Sequence, residues 1–219
     1  MKQMPATLKK LLSWWNFKKV KIARSYYHSD DVVALSKDLI GKYLFTCIDG
    51  ITTGGYIVET EAYNGVIDKA SHAYGSRQTP RTKTMFMQGG IAYVYLCYGI
   101  HEMFNIVTSV EGQPHAILIR AINPTHGLDA MLFRRNMLAA KPAITSGPGS
   151  VAKALGISRN INAFSLQSDT IWIEDRGLAF PDQSIASVSR IGVSYAGEDA
   201  LLPYRFYLKG NPYVSKPNK

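Results

Sequence analysis

The spacing of apolar and polar residues divides most of the chain into short helices and strands. Apolar positions recur with a helical period after Ser29, acidic residues follow for the first turn, and Gly41 suits a helix end, so residues 29–41 are predicted to be helical. Short runs rich in β-branched and aromatic residues predict strands. These runs are residues 42–48, 56–63, 91–98, 102–109, 116–121, 170–174 and 204–208.

The connections between these runs favour an antiparallel sheet. The turn-rich segment 50–55 is short enough to return the chain, and Gly99 indicates a hairpin between residues 91–98 and 102–109. Further helices are predicted over residues 127–138 and 151–155. Residues 64–90 form a long loop, and loops of that length are usually functional or disordered. We predict one α+β domain over residues 21–215, with a largely antiparallel curved sheet, flanking helices and a protruding β-hairpin.

Composition and charge exclude several classes of protein. The chain has 219 residues, of which 46% are hydrophobic, and lacks the run of about 18 apolar residues that a membrane span needs. Its 2 cysteines form no CxxC pair, which excludes a disulfide scaffold and a cysteine zinc finger. Lys and Arg number 25 against 16 Asp and Glu, a net charge of +9. This excess favours a polyanionic partner, most simply a nucleic acid.

Residues 1–20 form a basic N-terminal extension. They contain five lysines and no acidic residue, and their apolar stretches are too short for the core of a signal peptide. We therefore expect a cytoplasmic protein with no export signal and no membrane partner, associated with the nucleoid if it is prokaryotic. A solvated tail and a specific DNA or membrane contact both stay open for this segment.

The run VETEAY places two carboxylates and a phenol on one face of a strand. Side chains at alternate positions share a face, so Glu59, Glu61 and Tyr63 are predicted to point the same way. This face is a candidate catalytic site, although an exposed edge paired with Lys or Arg fits equally well. A β-bulge would also disturb the alternation.

Other candidate residues lie in the long loop and in the hairpin. His72 follows Tyr63 within the loop, where a structural role is the more common one for a single histidine. Tyr98 lies at the hairpin tip, where it either inserts into a partner or packs on its own loop. Asn105 and Arg120 are polar residues in apolar strands and need specific partners if buried. The 5 histidines form no HxH or HExxH pair, so no metal site is predicted.

Several motifs in order resemble the alkyladenine (3-methyladenine) DNA glycosylase family. They are IVETEAYNG, RQTPR, MFM, YVYLCYGIHEMFNI, ILIRA, SGPG, LGI and RIGVSYAGED. The resemblance extends from about residue 23 to residue 208. It implies a monofunctional enzyme that rotates alkylated or deaminated purines out of duplex DNA and hydrolyses the N-glycosidic bond, leaving an abasic site. It also implies a monomer that needs no metal or other cofactor.

The resemblance assigns roles to individual residues. Glu61 corresponds to the general base that activates water, and Arg120 to the arginine that helps to hold that water. Tyr63, His72 and Tyr95 correspond to the walls between which the extruded base stacks.

Three further positions complete the implied site. Asn105 corresponds to the asparagine that discriminates against the 2-amino group of guanine, and Tyr98 to the wedge that fills the gap in the duplex. Val193 corresponds to a residue whose carbonyl touches the water.

The chain departs from the family pattern in two places. Ser150 replaces a lysine expected to contact a phosphate, with Lys153 one turn further on, and residues 101–103 replace bulkier aromatic residues after the wedge. The alternative function is a non-catalytic module that binds nucleic acid or lesions on the same scaffold. Loss of the carboxylate would indicate such a module, and Glu61 is present.

Overall fold

The computed structural model describes residues 21–216, and the strands in that range form one antiparallel sheet. Their order is β3-β4-β5-β2-β1-β6, with β8 paired to both β2 and β7. The predicted basic extension, residues 1–20, lies outside the described residues. The sheet and its helices confirm the α+β class. The strands are β1 (Tyr43–Ile48), β2 (Ile51–Tyr63), β3 (Ile91–Cys97), β4 (His101–Thr108), β5 (His115–His126), β6 (Ile171–Glu174), β7 (Ile185–Val188) and β8 (Arg205–Leu208).

Three α-helices in the described range are α1 (Val32–Asp38), α2 (Leu128–Arg135) and α3 (Pro148–Leu155). Helix α1 begins later than the predicted Ser29 because the Asp31 carboxylate accepts a hydrogen bond from the Ala34 N–H at 2.8 Å and caps the helix there. The apolar sides of α1 and α3 lie in the main hydrophobic core. Within residues 21–216, no helix has the length and apolarity to cross a bilayer.

Strand β2 includes the segment that turn residues predicted to be a loop. The turn is reduced to Asp49 and Gly50, both with positive φ, and β2 begins at Ile51. Gly54 and Gly55 lie inside the strand because neighbouring groups approach too closely for a side chain. A Cβ on Gly54 would lie 2.3 Å from the Phe45 ring, and one on Gly55 would lie 2.1 Å from a backbone carbonyl oxygen. These glycines therefore permit close packing and do not mark a turn.

The pairing of β2 with β5 contains three irregularities, one at Gly54 and Gly55 and two beside the carboxylates. Ile57 pairs with Ile122 and Glu59 with Ala121, so Val58 is an extra residue on β2, and Thr60 then pairs with Ile119, so the register passes over Arg120 on β5. Bulges re-aim side chains and are common beside active sites. In this sheet, the two irregularities beside Arg120 place it next to the carboxylates of Glu59 and Glu61.

The two faces of the sheet differ in what they bury. The α-helices cover one face, where Thr60 bonds to Ser36 of α1, at 2.8 Å to its carbonyl oxygen. The opposite face carries Glu59, Glu61 and Arg120. The predicted loop 64–90 covers part of that face and contains two 3-10 helices, Tyr74–Ser76 and Thr82–Phe86, above a smaller apolar cluster that includes Met85. The long loop is therefore ordered and helps to enclose the site.

Candidate active site

A cavity of about 1190 Å³ lies on the sheet face opposite the α-helices. Its walls come from the end of β2, from loop 64–90, from β3, β4 and β5 with the hairpin tip, and from residues 191–195, and Pro148 at the start of α3 lies at one edge. The predicted site residues on its lining are Tyr63, His72, Tyr95, Tyr98, Asn105, Arg120 and Val193. The structure thus brings together side chains that are up to 130 positions apart in the sequence. Glu61, the remaining predicted residue, lies directly behind this wall.

Glu61 is a fully buried carboxylate with a partner at each oxygen. Its Oε1 accepts a hydrogen bond from the Ile191 N–H at 2.8 Å and lies 3.3 Å from Nη1 of Arg120. Its Oε2 accepts a hydrogen bond from the Tyr63 hydroxyl at 2.9 Å. Tyr63, Arg120 and Ile191 all line the cavity. Three residues that contact the Glu61 carboxylate therefore form part of the cavity lining.

A buried arginine, Arg190, packs against the ring of Tyr63. The sequence analysis assigned no role to this residue. The guanidinium of Arg190 lies 4.9 Å from the Tyr63 ring centroid. Arg190 donates two hydrogen bonds to the Asp68 carboxylate and one to the Ala62 carbonyl at 2.8 Å. Burial and the neighbouring Glu61 raise the pKa of Tyr63 well above its usual value. Tyr63 therefore stays protonated and donates to Glu61.

A second buried carboxylate, Glu59, lies beside the first. Its Oε1 accepts hydrogen bonds from Nε of Arg120 and Nε of Arg205, each at 2.8 Å, and its Oε2 accepts one from the Ser215 N–H at 2.7 Å. Burial acts to raise the pKa of Glu59, but Arg120, the Ser215 N–H and Arg205 outweigh it and lower this pKa below its usual value. Glu59 is therefore an anion between two cations.

Three aromatic side chains form one wall of the cavity. The His72 ring packs edge-on against Tyr95, with centroids 4.7 Å apart, and its Nδ1 lies 3.0 Å from the Tyr93 hydroxyl. Tyr93 and Tyr95 lie on the same face of β3, with centroids 5.3 Å apart. Sequence reasoning assigned no role to Tyr93, although its spacing of two residues from Tyr95 indicates the shared face.

The environment of His72 has a consequence for stability at low pH. Burial, and then the nearby Arg81 and Arg77, lower the pKa of His72 to about 4. An unfolded chain binds this proton below about pH 6.5. As the pH falls from 6.5 towards 4, the unfolded state is favoured increasingly, by up to about 3 kcal/mol. We expect His72→Gln to flatten this part of the pH dependence of the unfolding free energy, measured in urea, and parallel curves for the two proteins would contradict the assignment.

Asn105 and Val193 line the cavity through different groups. Asn105 is 3% exposed and its Nδ2 donates a hydrogen bond to the Tyr93 carbonyl at 3.2 Å, which fixes its side chain across the β3–β4 pair. The Val193 carbonyl accepts the N–H of Ala196 at 2.9 Å, and its second lone pair is left for another donor. Asn105 therefore contributes a fixed amide to the cavity lining.

The hairpin tip places Tyr98 in solvent at the mouth of the cavity. Tyr98 and Gly99 both have positive φ, as the tight turn between β3 and β4 requires. The Tyr98 side chain is 89% exposed, so it does not pack on its own loop. Across the mouth, Tyr195 is also exposed, and its hydroxyl donates to the Ala70 carbonyl at 3.0 Å.

Basic side chains surround the mouth, and no metal centre appears in the described part of the chain. Lys69, Arg77 and Arg81 are exposed and line the cavity. Lys153, on α3 beyond the atypical Ser150, is also exposed. Among residues 21–216, no three His, Cys, Asp or Glu side chains are grouped closely enough to hold a metal ion.

The sequence matches the family model of methylpurine-DNA glycosylases over residues 25–212. The chain belongs to the methylpurine-DNA glycosylase family. Members of this family are hydrolases that act on N-glycosyl bonds in DNA, and this chain is such an enzyme. Family membership confirms the resemblance predicted from the motifs.

Individual relatives agree with this assignment over most of their length. The chain is 46% identical over 188 residues to a protein of Chlamydia felis named "Putative 3-methyladenine DNA glycosylase", which covers 85% of this chain and 95% of that protein. It is 43% identical over 199 residues to a protein of the same name from Bacillus cereus, covering 87% of this chain and 97% of that protein. The match includes every element that contributes to the cavity.

Proposed function

We propose that this methylpurine-DNA glycosylase rotates alkylated or deaminated purine nucleotides out of duplex DNA into the cavity and hydrolyses their N-glycosidic bond. The reaction leaves an abasic site. One observation carries the proposal, namely that Glu61 lies directly behind a cavity whose lining includes Tyr63, Tyr95 and Arg120. The volume of the cavity is ample for a purine nucleotide.

In the proposed reaction, Glu61 accepts a proton from the attacking water. The water oxygen forms a bond to C1′ of the sugar, and the purine leaves with the electron pair of the N-glycosidic bond. The carboxylate also stabilises the oxocarbenium character of the sugar. Arg120 holds the water beside Glu61, and the Val193 carbonyl is proposed to accept a hydrogen bond from the second O–H of the water, which stays on the oxygen that bonds to C1′. A purine alkylated at N3 or N7 is already cationic and needs no proton donor to leave, in contrast to the alkoxide of a sugar chain.

Aromatic side chains supply the binding energy for the extruded base. Rotation of a nucleotide out of the stack costs a few kcal/mol. Stacking on aromatic rings returns about 1–3 kcal/mol per base. Tyr63 and Tyr95 attract the face of a cationic purine through their ring electrons. Asn105 lines the cavity from β4 and is bonded to the carbonyl of Tyr93, which supports its proposed role in discriminating against the 2-amino group of guanine.

The basic rim supports DNA as the partner. Lys69, Arg77 and Arg81 are positioned to meet phosphates beside the extruded nucleotide. We propose simple hydrolysis by water. Lys69 lines the cavity but is exposed, whereas the buried residues at the proposed reaction centre are Glu61 and Arg120. We also propose that the enzyme acts as a monomer on cytoplasmic or nucleoid DNA.

Measurement of free base tests the proposal. We expect the purified enzyme to release free base from duplexes that each contain one defined lesion, namely 3-methyladenine, 7-methylguanine, hypoxanthine or ethenoadenine, and to leave abasic sites. Borohydride should trap no covalent complex, because trapping requires a Schiff base. Tight binding without release of any base would instead support the alternative of a lesion-binding module.

Removal of the wedge tests base rotation. Tyr98 is exposed, so Tyr98→Ala should leave the unfolding free energy within about 0.5 kcal/mol of wild type. We expect single-turnover excision from duplex DNA to fall about tenfold or more, because the gap in the stack is left unfilled. Excision from single strands should change much less. Tyr98→Phe keeps the ring and serves as the matched control, and equal losses on both substrates would exclude the wedge role.

A further inference from the structure

Glu59 is buried and shares its partner Arg120 with Glu61, the proposed general base. We propose that Glu59 is a positioning residue that holds the guanidinium of Arg120 towards Glu61 and balances the charge around that carboxylate. The inference deepens the proposed function and rests on it. It is carried by the contacts of Arg120, which reach both carboxylates at once.

The orientation of Arg120 is set by three separate contacts. Its Nε donates to Glu59 at 2.8 Å, its Nη1 lies 3.3 Å from Glu61, and its Nη2 donates to the Ser215 hydroxyl at 3.3 Å. The guanidinium is planar and its donors form a rigid fork. Fixing Nε on Glu59 therefore fixes the direction in which Nη1 points. The bulge leaves Arg120 out of the regular pairing with β2. Its side-chain contacts therefore set the orientation of its guanidinium.

Ser215 completes the binding of Glu59 from the C-terminal segment. Its N–H donates to Oε2 of Glu59 at 2.7 Å, and its hydroxyl donates to Oε1 at 2.9 Å. Arg205 donates to the same Oε1. With Nε of Arg120, four groups donate to Glu59, so the site suits an ionised carboxylate and suits an amide poorly.

The charges in this group cancel only when Glu59 is present. Arg120 and Arg205 supply two positive charges, and Glu59 and Glu61 supply two negative charges. Removal of the Glu59 charge leaves Arg120 with Glu61 as its one remaining carboxylate partner, 3.3 Å from Nη1, so the whole attraction of this cation acts on the Glu61 anion. A carboxylate that is harder to protonate is also a weaker base, so excision should slow and its acid limb should move to lower pH.

A Glu59 variant keeps the other titratable and charged side chains near Glu61. On the cavity side they are Tyr63, Tyr95, Arg190 and Tyr195. Arg205 pairs with Glu61 across β2 and β8. None of the tyrosines ionises at neutral pH, because burial raises the pKa of each one. The charge of Glu59 is therefore the variable that the experiment changes.

The test compares Glu59→Gln with wild type in single-turnover excision of 7-methylguanine from a duplex, from pH 5 to pH 9 with saturating enzyme. We expect unchanged duplex affinity, a rate about 10- to 100-fold lower because Arg120 is misplaced, and an acid limb of the rate profile that moves to lower pH because a nearby negative charge is lost. Ser215→Ala is the uncharged control, with a smaller loss of rate and an unmoved acid limb. Circular dichroism establishes that each variant is folded.

If Glu59→Gln does not fold, Glu59→Asp replaces it, since this variant keeps the charge on a shorter side chain. We then expect a lower rate with an unmoved acid limb, and a wild-type rate would overturn the inference. A folded Glu59→Gln with the wild-type rate, or with a lower rate and an unmoved acid limb, would also overturn it. Failure of the proposed function is distinct, because wild-type enzyme would then release no base, or Glu61→Gln would remain active.

Discussion

Glu61→Gln should lose at least 100-fold in single-turnover excision of 7-methylguanine while it retains affinity for lesion-containing duplexes. General acid–base catalysis contributes roughly 10²- to 10⁴-fold, and an amide can neither accept the proton of water nor stabilise the cationic sugar. The substituted side chain still fits, since its Oε1 can accept the Ile191 N–H and the Tyr63 hydroxyl can reorient. The stacking wall is unchanged, so binding persists.

The control for this variant is Glu111→Gln, which removes an exposed carboxylate from the turn between β4 and β5. It should excise at the wild-type rate, which shows that net charge alone does not explain the loss. Excision by Glu61→Gln within a few-fold of wild type would remove Glu61 from the role of general base. Lost affinity in this variant would show that the carboxylate acts mainly in binding.

Local patterns in the sequence predicted much of the site. The alternation in VETEAY placed Glu61 and Tyr63 on one face of β2, and the structure has them there with Glu59. The turn at Gly99 predicted the hairpin and the place of Tyr98 at its tip. These features depend on neighbours within a few residues, which is why periodicity and turn chemistry reveal them. The individual roles were implied only by the family resemblance.

Features that depend on distant partners could not be predicted in this way. Arg190 and Asp68 are 122 positions apart, and neither lies in a pattern that indicates burial. The bulge at Arg120 belongs to the pairing of β2 with β5, and the residue pattern of neither strand alone indicates it. Gly54 and Gly55 were misinterpreted as turn residues because the close approach of Phe45 and Asn123 is visible only in three dimensions.

Asp68→Asn should lower the unfolding free energy by about 3–5 kcal/mol, since it leaves the buried Arg190 cation without its counter-ion. Asp68 is 2% exposed and Arg190 is 5% exposed, so water cannot replace the lost charge. The Asp68 carboxylate also accepts the Asn64 and Ala70 N–H groups, at 3.0 and 2.9 Å, and so organises the start of the long loop. Urea unfolding at neutral pH measures the change.

An exposed ion pair provides the matched control for this substitution. Lys37 and Asp182 are 3.2 Å apart with exposed side chains, so Asp182→Asn should cost less than about 1 kcal/mol. A similar small cost for Asp68→Asn would show that Arg190 is solvated or paired elsewhere. Because Arg190 lies against the Tyr63 ring, Asp68→Asn should also weaken excision in the fraction that remains folded. The same buried pair would then stabilise the domain and hold the tyrosine that donates to Glu61.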